Sequence, residues 1–414
     1  MMQFAEGKAQ FAEPWGINPK ATMVWGLGPV FNEDRCSECH QHNGRAYAPA
    51  DGQAAEHGMV IRLSVAGRSA TGAVNPHPVY GDQLQNRAIP GVPAEGQPVV
   101  TYQPREVAFA DGEVVVLRAP SVQFTQMRFG ELDAGTFTSA RIAPAMIGLG
   151  LLEAVPEQTI LQIARAQEPA DMRGKPNYVW DFEKRERVLG RFGWKASQPS
   201  LRQQTAAAMH GDIGATTSIF LAENCSPAQT QCREAPSAIK CVDPNHCIIG
   251  MDRPEALPSR LDNITFYLQT LAVPARRHVN DDGAKRGEAL FMQAGCSVCH
   301  VPYLKTSAHP AVAVAADLVI HPYTDLLLHD MGEALADRRD DYEANGREWR
   351  TAPLWSIGLL PKVSGHSELL HDGRARNVVE AILWHAGQAE RSRETFRTLR
   401  RADRDALIKF VESL

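Results

Sequence analysis

Two runs of the chain hold two thiols and an imidazole at a fixed short spacing, Cys36-Ser-Glu-Cys39-His40 and Cys296-Ser-Val-Cys299-His300. In C-x-x-C-H each thiol can add to a vinyl group of haem while the adjacent imidazole takes the iron from one side. With 8 Cys and 14 His in 414 residues, chance would supply only ~0.005 such runs, so a pair is no accident. A thioredoxin-like redox C-x-x-C would sit in a βαβ unit, and neither run does. The motifs imply two covalently bound haem c groups, with His40 and His300 as proximal ligands.

An iron held on one side has a further position to be filled or left open. In SELLHDGRARNVVEAILWHAGQ, His385 lies seven positions after Val378 and three after Ile382, on the apolar face of a helical pattern. A lone His there is ordinarily a hydrogen-bonded core residue, and a buried iron nearby makes it a ligand candidate. In HPYTDLLLHDMGEALADRR, His329 and Met331 are rivals. Met331 would complete the His/Met pair of a high-potential cytochrome c.

The other four cysteines, Cys225, Cys232, Cys241 and Cys247, crowd one polar stretch at about 222–250. Their spacing lacks the close C-x-x-C pairs of a zinc site. Two disulfides stapling a loop fit better and imply an oxidising compartment, although four cysteines allow three connectivities. The net charge of -5 is small for this length, which argues against a nucleic-acid partner. No apolar run approaches the roughly 18 residues of a membrane span. A haem-bearing periplasmic protein is made with an export signal, and MMQFAEGKAQFAEPWG lacks an apolar signal core, so the signal is expected to be missing from this sequence.

Elements must bring these groups together. GPVFNEDRCSECH and EALFMQAGCSVCH share a Phe (Phe31, Phe291) five positions before the first Cys, a short internal repeat. DDGAKRGEALFMQAG reads as a helix capped by Asp281 or Asp282 that runs into the second motif. Between 60 and 125, GQPVVTYQP and GEVVVLRAP read as short strands or extended arms. Pro156 starts a helix, LDNITFYLQTLAVPARR is a helix ended near Pro274, and the tail from about 376 is helical. The expected fold is mainly α. Residues 1–270 form an N-terminal cytochrome c-like unit with a long, partly irregular or β middle insertion, and 271–414 form a C-terminal cytochrome c-like unit.

The runs IGLGLLEAVPE, RFGWKA, LAVPARR, GCSVCH, PYTDLLLHDMGEALADRR, EWRTAPLWSIGL and LLHDGRA...EAILWHAG together resemble the bacterial di-haem oxidoreductases (thiol oxidoreductase-like) of the di-haem cytochrome c peroxidase superfamily. The resemblance runs from about Gly26 to Leu414. It implies two haem domains, a six-coordinate C-terminal haem that receives electrons and an N-terminal haem that meets hydrogen peroxide. One branch of the superfamily instead oxidises tryptophans of a partner protein. His371, Asp372 and Gly373 match the His-Asp-Gly run of the peroxidases, and His385 falls at their distal ligand position. There it replaces their usual Met and favours His385 over Met331. His57 lies in the region of their reversible ligand to the first haem. A peroxidase site also needs an acid–base group, for which Glu153, His210 and Asp212 are candidates. The glutamine and glutamate run of the peroxidases is not recognisable. Arg374 and Arg376 are candidates for haem propionates, and Trp194 is a candidate relay between haems.

These readings converge on a periplasmic di-haem oxidoreductase, peroxidase-like, whose electron partner is a small redox protein or a protein substrate. The alternative is an electron-transfer cytochrome without a substrate site. A thiol-exchange centre in the Cys225–Cys247 loop ranks last.

Overall fold

The computed structural model describes residues 2–17, 24–56, 58–235, 254–309 and 311–414. Its chain is mixed rather than mainly α. Helices take 33% of it and strands 21%, and the strands are dispersed over many small sheets. None of these sheets has more than three strands among the described residues. The correction has a physical reason. The long connections between the haem motifs satisfy their backbone groups by local antiparallel pairing, which β-branched runs favour over helix.

The helical framework is duplicated. Helix α1 (Met2–Ala12) precedes the short helix α2 (Cys36–Cys39) that carries the first haem motif. Further on, β1 (Met59–Arg68) pairs with β4 (Phe137–Ile142). Between them, β2 (Gln97–Ala108) and β3 (Val114–Thr125) pair along their whole lengths, from Gln97↔Thr125 to Ala108↔Val114. The two runs read as separate strands or arms are thus the two legs of one hairpin. Then come α3 (Leu201–Ala208), α4 (Pro258–Gln269) and α5 (Asp282–Gln293). The pair β5 (Leu328–Asp330) and β6 (Glu348–Arg350) precedes α6 (Val378–Trp384), α7 (Glu390–Thr398) and α8 (Arg401–Ser413).

Helix α5 begins where the sequence signals it, with the Asp281 side chain accepting from the Ala284 amide at 2.9 Å. It buries Ala284, Gly287 and Phe291 against α8. A Cβ on Gly287 would lie 1.9 Å from the Ala406 carbonyl oxygen, so the backbones touch only because that residue is Gly. Helix α1 repeats the device on α4, where a Cβ on Gly7 would lie 2.1 Å from the Asn263 carbonyl oxygen. Phe11 then packs at an angle against Tyr267, ring centres 5.6 Å apart, as Phe291 packs edge-on against Phe410 at 5.3 Å. Phe11 sits 6.2 Å from the His40 ring and Phe291 6.3 Å from the His300 ring. The counterpart of Phe291 is therefore Phe11, not Phe31, which lies on a two-residue strand.

One core gathers Phe11, Tyr267 and α4, a second gathers Phe291, α6 and α8, and a third joins Leu152, Leu189 and Leu201 to Leu304, Leu327 and Trp355. No helix among the described residues is long and apolar enough to cross a membrane.

Candidate functional site

Each C-x-x-C-H run opens onto a cavity. That of Cys36, Cys39 and His40 has a volume of about 300 Å³. That of Cys296, Cys299 and His300 has about 240 Å³. Their walls are predominantly apolar, as a buried cofactor requires. Burial pushes the Cys36 and Cys296 thiols up to about 12, so both stay neutral.

His40 donates from Nδ1 to the Pro144 carbonyl at 2.8 Å, and His300 from Nδ1 to the Tyr323 carbonyl at 2.9 Å. A carbonyl can only accept, so each ring carries its proton on Nδ1 and keeps Nε2 as the basic nitrogen. Burial lowers both imidazoles to about 4, which keeps them neutral and able to ligate at ordinary pH.

His385 does the same and lines the second cavity with His300. It caps the end of α6 rather than lying within it, and its Nδ1 donates to the Ala381 carbonyl at 2.6 Å. Its ring centre stands 6.5 Å from that of His300. Two metal–imidazole bonds of about 2 Å plus the two half-rings span about 6 Å, so one iron fits between them. Met331 lines the same cavity. His329 lines it too, with both nitrogens engaged: Nε2 on Asp325 at 2.8 Å and Nδ1 at 3.4 Å from the Cys299 sulfur. Burial alone would lower its pKa, but the Asp325 carboxylate and the Cys299 sulfur together outweigh that and lift it to about 10.

In the first cavity the residues that line it include no second His and no Tyr among the described residues. His57 lies outside the described residues. Of the acid–base candidates, Asp212 lines this cavity. It projects from a π-turn (Met209–Ile213) that continues α3, and its Oδ1 accepts from Gln83 Nε2 at 2.8 Å. Burial raises its pKa. Glu153 lines neither cavity and is consumed in structure, accepting from the Leu201 amide, Gln269 and His309 at 2.8, 2.7 and 2.9 Å. His210 lines neither and bonds the Ala222 carbonyl at 3.0 Å.

The propionate candidates also lie off the cavity walls. Arg374 is paired with Asp372 at 2.7 Å and Arg376 with Glu380 at 2.6 Å. His371, of the His-Asp-Gly run, lines the second cavity and stacks on Trp349 with ring centres 3.6 Å apart. Trp194 lines both cavities, and its Nε1 donates to the Ile142 carbonyl at 2.9 Å. Sequence reasoning missed the rest of that shared wall, which includes Trp355, Arg45 and Arg350. It also missed Gln83. A disulfide joins Cys225 to Cys232, and Cys241 and Cys247 lie outside the described residues.

Two apolar cavities, each flanked by two thiols and an Nδ1-anchored imidazole, are what a pair of haems requires. The comparison with known families agrees. The whole chain, residues 1–414, matches the family described as "Di-haem oxidoreductase, putative peroxidase". The chain belongs to that family and is a haem-binding oxidoreductase. No curated protein matches it. Among solved structures, a chain titled Kuenenia stuttgartiensis hydrazine synthase pressurised with 20 bar xenon is similar at 20% identity. The alignment covers 38% of this chain and 55% of that one, with a TM-score of 0.24.

Proposed function

We propose that the protein is a periplasmic, peroxidase-like di-haem c oxidoreductase whose two haem sites have different tasks. Cys296 and Cys299 would hold one haem, with His300 and His385 as its axial pair. Cys36 and Cys39 would hold the other, with His40 on one side and Asp212 in the cavity. The observation that carries this reading is the asymmetry of imidazoles: His300 and His385 line the second cavity with ring centres 6.5 Å apart, while His40 is the one His lining the first among the described residues. Haem, when bound, supplies the electron storage that no side chain here can.

The side chains do the remainder. His300 and His385 would both ligate the group held there, which suits an electron port. The walls of the first site are mostly apolar, and Asp212, whose pKa burial raises, can in its acid form hand a proton to a peroxide oxygen. Trp194, in the wall between the cavities, offers an aromatic ring on the way from one to the other. A small redox protein or a protein substrate is the electron partner, and the Cys225–Cys232 disulfide supports an oxidising compartment.

Low-temperature electron paramagnetic resonance of the oxidised and one-electron-reduced protein tests this reading. The expected result is one low-spin haem with two imidazoles and one haem that is high-spin in at least one state and responds to added peroxide. Two low-spin haems indifferent to peroxide in both states would replace the proposal with an electron-transfer cytochrome.

A further inference from the structure

The wall between the cavities holds two guanidinium groups that, among the described residues, make no ion-pair contact with a carboxylate, although Asp372 and Glu368 lie near Arg45 and Asp325 near Arg350. Arg45 follows the first haem motif, and Arg350 ends β6, 305 positions later. Each lines both cavities. Arg45 donates to the Leu370 carbonyl, and its buried Nε meets no acceptor. Its guanidinium lies over the Trp194 ring, 5.1 Å from the centre. Arg350 donates to the Gly193 and Thr351 carbonyls at 3.0 and 3.2 Å.

Among the described residues neither has a carboxylate within ion-pair distance. The neighbouring buried cations are treated differently: Arg141 meets Asp341 at 2.6 Å and Lys195 meets Asp337 at 2.7 Å. Burial lowers Arg45 and Arg350 to about 10, the direction expected of a cation stripped of water without an adequate counter-charge. Such a cation is costly to the fold unless an anion arrives to meet it.

We propose that Arg45 and Arg350 form a single anion seat shared by the two cavities, and that it takes propionate carboxylates of the groups bound on both sides. The proposal rests on the reading of both cavities as haem sites. A planar guanidinium matches a carboxylate with two parallel N–H donors, which the point charge of a lysine does not. The seat has an electrostatic consequence. A nearby cation favours the form of a redox centre that has gained an electron, so one Arg bordering both cavities raises both reduction potentials.

Spectroelectrochemical titration of the haem-loaded full chain reads this directly. Arg350→Gln and Arg45→Gln are each expected to lower both midpoint potentials. Arg350→Lys, which keeps the charge and the fold but not the fork, is expected to restore most of that shift. In the Lys variant, the propionate bending bands of the resonance Raman spectrum should still move for both haems. If the glutamine variants do not load haem, Arg350→Lys alone carries the test through those bands. Potentials and bands that change for one haem only, or for neither, would overturn the shared seat while leaving the two-haem reading intact. An unsubstituted chain that binds fewer than two haems would overturn that reading, and the seat with it.

Discussion

Of the three acid–base candidates in the sequence, only Asp212 reaches a haem cavity, and Gln83 fixes how it does so. Gln83 accepts from Arg62 at 2.9 Å through Oε1, which turns its amide nitrogen toward Asp212. Burial raises the Asp212 pKa, and the Gln83 bond, which favours the charged carboxylate, works against that. If the acid form delivers a proton, peroxide consumption is present below the Asp212 pKa and lost as pH rises through it. Asp212→Asn is expected to slow peroxide consumption by about 10²–10⁴-fold, the usual range for one proton-transfer group. Gln83→Leu removes a donor that favours ionisation, so it should extend the active limb to higher pH. Stopped-flow pH profiles of the folded, haem-loaded variants measure both, and profiles that coincide with the unsubstituted protein would remove Asp212 from the chemistry. The haem motifs were readable because all their chemistry is contiguous. The Asp212–Gln83 pair was not, because its members are 129 positions apart and polar residues of those types are common in any chain.

At the scale of elements, the helices that seat the two imidazoles are built alike, and the sequence carried a sign of it. Gly7-Lys-Ala-Gln-Phe11 and Gly287-Glu-Ala-Leu-Phe291 share G-x-A-x-F. In each, the Gly permits contact with a later helix, and the Phe lands beside the haem-motif His. The first copy escaped notice for two reasons. Helix α1 buries only Gly7 and Phe11, so it lacks a broad apolar stripe. It also lies 23 residues before its haem motif, whereas α5 runs almost directly into its own. A methyl group at either Gly would collide with backbone, which cannot swing aside. Gly7→Ala and Gly287→Ala are each expected to cost about 1–3 kcal/mol in stability, the usual penalty for overpacking. Urea titration followed by far-ultraviolet circular dichroism checks this, and midpoints unchanged from the parent would show that the helix pairs do not depend on close contact.

Over the whole molecule, the two haem regions are joined by more than the wall between their cavities. The hairpin β2–β3 leaves the N-terminal half and places its tip on the C-terminal helices. There Phe109 packs on Phe396 at 5.9 Å, and Arg404 grips Asp111 at 2.9 Å and Glu113 at 2.6 Å. Phe109 and Leu117 belong to the same core as Phe291, Leu407 and Phe410. The third core binds residues near 152–201 to residues near 304–355. Val and Thr runs announced strands in this stretch, but nothing local in them could announce a partner nearly 300 residues away. Two halves sharing this much buried apolar surface should lose it together on unfolding. Thermal melts read separately at the two haems are therefore expected to coincide. Phe109→Ala empties a buried site in the C-terminal core, at a cost of about 3–5 kcal/mol for a residue of this kind. Although the substitution lies in the N-terminal half of the sequence, it should lower both melts by the same amount. A variant in which one haem region melts early while the other keeps its parent transition would show that the hairpin is a decoration on one half rather than a tie between two.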